Sequence, residues 1–400
     1  MEKDLAKLRF VGTSKGTACV GHICDECIFN GGRYSLFGKN PECCCFDETE
    51  KCLGHMPNYF FLKKDESNVV LFSKFRVPFD IPKSKKELFN GLKTAIINGI
   101  KDMQPKQDCL LQARYGSTEK NSYYDIENIL FYNIGTAHFN GLASRDVVFT
   151  AVNRNEIVDL RKKFNIPDEY AHYYEYKLVS SGADKKIGGL LADINSVSIK
   201  CIGVKPATVW KALREQKEKI GVFDRIETDK SDTFAIVLNI EKPKGVRFNI
   251  MTAMKPLLDG LICALHSSEF NEEELAYFSQ TLGCEEELFI DNAISVLGYR
   301  KNKFLQEYRG NVKWNPADDL CDYVAINVQD GLTWNVRAKV YSTLKCPYCG
   351  KSKLSKLLFG MPIMSDELQK DIEEGKVKLA GCIVGEDNPR YYCRWCKKEF

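Results

Sequence analysis

Apolar residues alternate with others along some stretches of this chain and recur every three to four residues along others, so interleaved strands and helices are predicted. Leu88, Leu92, Ile96, Ile97 and Ile100 share one side of a helix over 86–103. Strands are predicted over 128–134 and 146–152, joined through Gly135 and Gly141, and then over 174–179 and 196–202. Residues 205–219 read as a helix with Val209 and Leu213 inward and Lys211, Arg214 and Lys217 outward. The clearest strand covers 234–240, where Phe234, Ile236, Leu238 and Ile240 alternate with Ala235, Val237 and Asn239 before Pro243 ends it. A helix around 254–266 follows, then two more over 272–282 and 286–297. After the polar turn Trp314-Asn-Pro-Ala-Asp-Asp319 come Val324, Ile326 and Val328; Gly331 turns the chain, and Trp334, Val336, Ala338 and Val340 form the partner strand. The pattern implies an α+β fold, a central mixed or antiparallel sheet with helices on one face. No internal repeat stands out.

Composition adds domain number and compartment. At 400 residues, 44% hydrophobic and 28% charged, the chain is long enough for two or three globular domains. No stretch reaches the roughly 20 apolar residues of a membrane span, and the start lacks the basic and apolar regions of a secretory signal, so a cytoplasmic protein is expected. The net charge of +3 is too small to argue for DNA or RNA alone, although residues 200–255 carry 12 Lys and Arg against 7 Asp and Glu.

Of the 17 cysteines, seven lie between Cys19 and Cys52 and five between Cys346 and Cys396. Paired spacing in an intracellular chain points to metal before disulfide. Cys346-Pro-Tyr-Cys349 and Cys393-Arg-Trp-Cys396 each let one tight turn aim two sulfurs at the same ion, and together they complete a closed structural zinc site. Residues 343–400 are therefore expected to form a zinc ribbon, in which Cys346 to Phe400 resembles the ribbons appended to many bacterial proteins, here with a helical insertion over 366–374. Cys24-Asp-Glu-Cys27 and Cys52-Leu-Gly-His55 offer a second set, so Cys24, Cys27, Cys52 and His55 are candidate ligands of a second zinc in an N-terminal module, 1–80. The central domain is then 81–342.

The remaining candidate chemistry is acidic. In the helix near 255, Met254, Leu257, Leu258, Leu261 and Leu265 share one face, while Lys255, Asp259, Cys263 and His266 share the other. Asp318 and Asp319 stand at a strand entrance about fifty residues later. Carboxylates on a helix and at a strand entrance can meet at a sheet end and hold Mg²⁺, which prefers oxygen ligands and can activate water. The alternative is an ordinary i,i+4 ion pair between Lys255 and Asp259, with a plain turn at Asp318.

The order of strand 234–240, helix Lys255-Pro-Leu-Leu-Asp259-Gly-Leu-Ile-Cys-Ala-Leu265 and pair Asp318-Asp319 resembles the RusA family of Holliday-junction resolvases. The resemblance implies a nuclease with Asp259, Asp318 and Asp319 as catalytic metal ligands. Leu257, Gly260 and Cys263 stand where that family has Asp, Asn and Lys. Two functions follow as expectations. One is a divalent-metal-dependent nuclease flanked by zinc modules that grip DNA or RNA; the other is a non-catalytic, zinc-stabilised scaffold that binds nucleic acid or protein.

Overall fold

The computed structural model describes residues 9–10, 60–79 and 86–400, apart from 106–108, 120–123, 143–145, 181–187, 203–204, 228–231, 299–302, 344–345, 347, 350–353, 374 and 384–387. Cys24, Cys27, Cys52 and His55 lie outside the described residues.

Strands β1 (Arg9–Phe10), β2 (Phe60–Lys64) and β3 (Asn68–Ser73) lead to helix α1 (Lys86–Lys101) and strand β4 (Leu110–Ser117). A π-helical turn, Asn128–Tyr132, and a 3-10 turn, Thr136–Phe139, carry the chain to β5 (Asp146–Ala151). Helix α2 (Arg154–Phe164) then carries it to β6 (His172–Val179). The next stretch holds β7 (Leu190–Ser198), α3 (Pro206–Glu215), β8 (Ile220–Val222), β9 (Ile226–Glu227), β10 (Phe234–Pro243) and α4 (Ile250–Ala264). Beyond α4 lie β11 (His266–Ser267), α5 (Glu272–Leu282), α6 (Glu287–Ile290), β12 (Leu297–Gly298) and the hairpin β13 (Leu305–Tyr308) and β14 (Asn311–Trp314). Two long strands, β15 (Cys321–Gly331) and β16 (Asn335–Ser342), complete the body. The ribbon adds β17 (Leu354–Leu358), α7 (Asp366–Glu373), β18 (Val377–Leu379) and β19 (Tyr391–Cys393).

Eleven strands make one mixed sheet in the order β1-β2-β3-β6-β4-β5-β15-β10-β16-β7-β8. The order contains the same four-strand plan twice. In β3-β6-β4-β5, the last two strands are parallel and β6 runs against both its neighbours. In β7-β16-β10-β15, the last two are again parallel and β16 runs against both its neighbours. The halves meet at the antiparallel pair β5 and β15, from Thr150 opposite Tyr323 to Asp146 opposite Asn327. The duplication lies in topology; the apolar pattern alone does not display it.

Burial follows the alternation. Phe60, Leu62, Val69 and Leu71 join the main core, which α1, α3 and α4 cover on one face. Their neighbours Phe61, Val70 and Phe72 turn the other way, under α2, with Ile157, Tyr170 and Tyr173. Both β2 and β3 fall within the stretch that the sequence boundary gives to the N-terminal module, yet they are paired into the central sheet because each carries apolar residues on both faces. Tyr173, Tyr174 and Tyr176 are core residues. Among the described residues no helix is long and apolar enough to cross a membrane.

Several expectations need correction. The predicted strand over 128–134 is the π-helical turn: Ile129, Leu130 and Phe131 are buried in succession, so no periodicity separates helix from strand. The strand predicted at 196–202 begins earlier, at Leu190, and ends at Ser198, close to Ser196 with its positive φ of 50°. The helix predicted over 286–297 is a single turn, Glu287–Ile290. The helix placed at 254–266 starts at Ile250, because the Asn249 side chain accepts from the Met251 N–H at 3.0 Å and caps it. Finally, β15 and β16 are not partners. Strand β10 lies between them, parallel to β15 and antiparallel to β16.

Candidate zinc centre and carboxylate cluster

The ribbon brings its four predicted thiols together. Cys346, Cys349, Cys393 and Cys396 place all their sulfurs within 4.8 Å of one another. Two of the separations, Cys346 to Cys396 and Cys349 to Cys393, are 3.5 Å. Four sulfurs about 2.3 Å from one tetrahedral ion would stand about 3.8 Å apart, so the arrangement has the size that zinc requires. The Cys396 N–H points at the Cys393 sulfur at 3.5 Å, which favours a thiolate there. Cys382, the surplus cysteine, is exposed and outside the group.

The ribbon is anchored to the body through a buried acid. Asp232 is 1% exposed; the Tyr391 hydroxyl donates to it at 2.7 Å and the Arg390 guanidinium lies 3.4 Å away.

The second constellation lies near the seam between the halves, around Lys255 on α4. Its ammonium is 2.7 Å from Asp318 Oδ2, 3.1 Å from Asp259 Oδ1 and 3.1 Å from Asp125 Oδ2. The Asp259 and Asp318 oxygens share one nitrogen, so they are no more than about 6 Å apart. Asp259 comes from the same helix one turn on, and Asp318 from the 3-10 turn Asp318–Leu320 just before β15. Asp125 belongs to the first half of the chain, where it also accepts from the Asn128 N–H at 3.0 Å at the head of the π-helical turn. Glu127 lies beside it, 3% exposed, with no hydrogen-bond partner for Oε1. Asp319 is next to the group but makes no ion pair with Lys255; the ammonium takes Asp318 instead. Sequence spacing therefore finds Lys255, Asp259 and Asp318 and misses Asp125 and Glu127.

Charge in this cluster is lopsided. Burial pushes the Glu127 carboxyl well above the usual carboxylate range, and neighbouring Asp125 adds to the effect. Burial and then Asp125 raise Asp318 to about 8 against the pull of Lys255. Burial also raises Asp259 and Asp319. Burial alone would lower Lys255, but Glu127, Asp318, Asp125 and Asp259 outweigh it and keep the ammonium charged. Among the described residues, one ammonium thus serves Asp125, Glu127, Asp259 and Asp318, with Asp319 beside them, and protons or a further cation would offset the negative charge it leaves. Among the described residues, however, no three carboxylates close to within 4.8 Å, because Lys255 fills the middle.

A pH dependence follows. Asp318 holds a proton in the folded state between about pH 4 and pH 8, where the unfolded chain releases it, so stability falls as pH rises through that window. Buried His266 is lowered to about 3 and has the opposite slope below about pH 6.5, so the test belongs above that value. Urea denaturation at pH 6.5, 7.5 and 8.5 should show a decline, and Asp318→Asn should make it shallower, with buried Glu127, raised in the same direction, keeping part of the slope. An equally steep decline in the variant would mean that Asp318 is not the titrating group.

The three cations expected outward on the helix over 205–219 are committed to partners within the chain. Arg214, expected outward, is 2% exposed and donates to the carbonyl oxygens of His266, at 2.6 Å, and of Asp291. It is drawn inward with Trp210, which is wholly buried one turn earlier on α3. Lys211 donates to the Gly283 carbonyl at 2.8 Å, and Lys217 pairs with Asp291.

Leu257, Gly260 and Cys263 also have packing roles. Leu257 is core, a Cβ on Gly260 would come within 2.4 Å of the Pro206 carbonyl oxygen where α3 crosses α4, and the buried Cys263 thiol faces the Phe304 carbonyl at 3.8 Å. Compared with protein-family models and with curated proteins, the chain matches none, so the resemblance to RusA resolvases gains no support there.

Proposed function

We propose that the protein is a zinc-stabilised, divalent-cation-dependent enzyme acting on nucleic acid, with the Lys255 cluster as its working site. What supports this is the imbalance at the seam: Asp125, Asp259 and Asp318 share one ammonium, Glu127 is close enough to act on it, and Asp319 stands beside Asp318. A fold needs one carboxylate to satisfy one lysine, and further buried acids cost stability unless they have another task.

The donor set fits a hard cation. Asp125, Asp259 and Asp318 supply oxygen, Glu127 supplies a further carboxyl, and Mg²⁺ or Mn²⁺ would polarise a phosphodiester and lower the pKa of attacking water. Asp125, Asp259 and Asp318 would hold such an ion, and the Lys255 ammonium beside them would supply a positive charge for a phosphate oxygen. Glu127, wholly surrounded by protein, would hold a proton close to the site without contact with bulk water.

A second reading, a non-catalytic scaffold, is favoured by the position of Lys255 in the space an ion would take and by the commitment of Arg214 and Lys217 to structural partners. Cleavage of plasmid and of labelled oligonucleotides with Mg²⁺ or Mn²⁺ separates the two. Cation-dependent products should form with the natural chain and fall by 100-fold or more, on the order seen when a charge-stabilising group is removed, in Asp318→Asn and Asp259→Asn. Absence of products with every cation, or products equally abundant with both variants, would remove the enzyme.

A further inference from the structure

Seven of the thirteen large apolar side chains left exposed among the described residues belong to the ribbon. Two are rings at its knuckle tips, Tyr348 at 57% exposure and Trp395 at 65%. Each is the third residue of its Cys-x-x-Cys pair, so the rings occupy matching positions in the two knuckles that share one metal site. Aromatic rings are usually buried for their large apolar area, so the zinc fold alone has no use for two of them in water.

Cations lie over Tyr348 and over a further ribbon ring, Tyr392. The Lys398 ammonium lies 4.5 Å from the Tyr348 ring centre. Lys378, at 3.5 Å, and Lys397, at 6.0 Å, lie over the neighbouring ring of Tyr392. Arg394, exposed, precedes Trp395. Among the described acids of the ribbon, Glu399 pairs with Lys378 at 3.1 Å and Asp371 with Lys376 at 3.4 Å. On the body side, Phe400 packs against Tyr348 and Tyr391, and Tyr391 is tied to Asp232. Tyr348 is thus tied to the body through Phe400 and Tyr391, and both rings sit within knuckles fixed by the four thiols.

We propose that this knuckle face is a platform for single-stranded nucleic acid, on which bases stack against Tyr348 and Trp395 while Lys397, Lys398 and Arg394 meet the phosphates. Flat rings interleaved with cations suit a ligand with flat bases and an anionic backbone, and only a single strand leaves base faces open. The proposal rests on nucleic acid being the ligand, as proposed above, but not on cation chemistry at Lys255.

The test is fluorescence anisotropy with the zinc-loaded full chain, no added Mg²⁺, and labelled oligo-dT and oligo-rU strands of about 20 nucleotides beside a duplex of equal length. Single strands should bind more tightly than duplex and weaken as salt rises. Tyr348→Ala/Trp395→Ala should weaken binding by roughly tenfold per ring, on the order of 100-fold together, with zinc content unchanged. Lys397→Glu/Lys398→Glu should weaken it too and make the salt dependence shallower by about one to two units. No single-strand binding at low salt, preference for duplex, or natural affinity in both zinc-loaded variants would overturn the platform. A face that serves a protein partner instead gives the first of these results. Binding that persists in Asp318→Asn with no cleavage by the natural chain would remove the enzyme alone, and cleavage by a chain whose ring variants bind normally would remove the platform alone.

Discussion

Cys393→Ser should release the zinc and unfold residues 343–400 while leaving the eleven-stranded sheet standing. Cys393 is wholly buried and is one of four sulfurs within 4.8 Å of one another. Among the described residues the ribbon's own sheet has three short strands, β18-β17-β19, too little to bury the apolar area that would hold it without the ion. Structural zinc in modules of this size contributes on the order of 10 kcal/mol or more, so losing a ligand exceeds any reserve the ribbon has. Elemental analysis should fall by one zinc per chain. Limited proteolysis should cut after the ribbon lysines, and the far-ultraviolet signal of the body should persist. Unfolding would also leave buried Asp232 without Tyr391 and Arg390, so the body should lose about 1–3 kcal/mol. A Cys393→Ser chain that keeps its zinc and its resistance to protease would show that the four thiols do not form a metal centre.

Lys255→Met should destabilise the body by about 3–5 kcal/mol at pH 8, because removing one partner of a buried charge group strands the others. Methionine fills much of the space of the lysine stem, so the loss reports charge and not volume. Asp125, Asp259 and Asp318 would all lose their ammonium. The deficit should shrink toward pH 6, since the carboxyls then take up protons and the repulsion fades. Urea denaturation at the two pH values measures this, and adding Asp318→Asn to the variant should restore part of the loss. A Lys255→Met chain as stable as the natural one at pH 8 would show that water, not protein, balances these acids.

Local features were legible in the sequence, and long-range ones were not. The thiols of the ribbon are recognisable because two residues between cysteines fix a turn whatever the surrounding fold. Lys255 and Asp259 are one helical turn apart, and helix periodicity is enough to pair them. Asp125 is 130 residues from Lys255, in a segment whose apolar run after Glu127 imitates a strand. Its one local signal is an Asp that accepts from the N–H three residues later, the mark of a helix start. Arg214 reads as outward when Val209 and Leu213 alone define the buried face; Trp210 widens the buried stripe until it includes the next turn. The place of β10 between β15 and β16 is set by pairing across the sheet, which a turn at Gly331 cannot reveal.

The repeated strand plan has a consequence for symmetry. Two copies of one plan joined edge to edge by an antiparallel strand pair are related as the subunits of a twofold dimer are. In a true dimer every group near the axis is present twice, so a lysine there would be matched by a second lysine, and the charges would come in equal sets. A single polypeptide removes that constraint. One half can supply Asp125 and Glu127 and the other Lys255, Asp259 and Asp318, with no obligation to mirror either set. Joining also keeps each half at high effective concentration near the other, so the seam does not depend on an encounter between chains and can tolerate an imbalance of charge beside it.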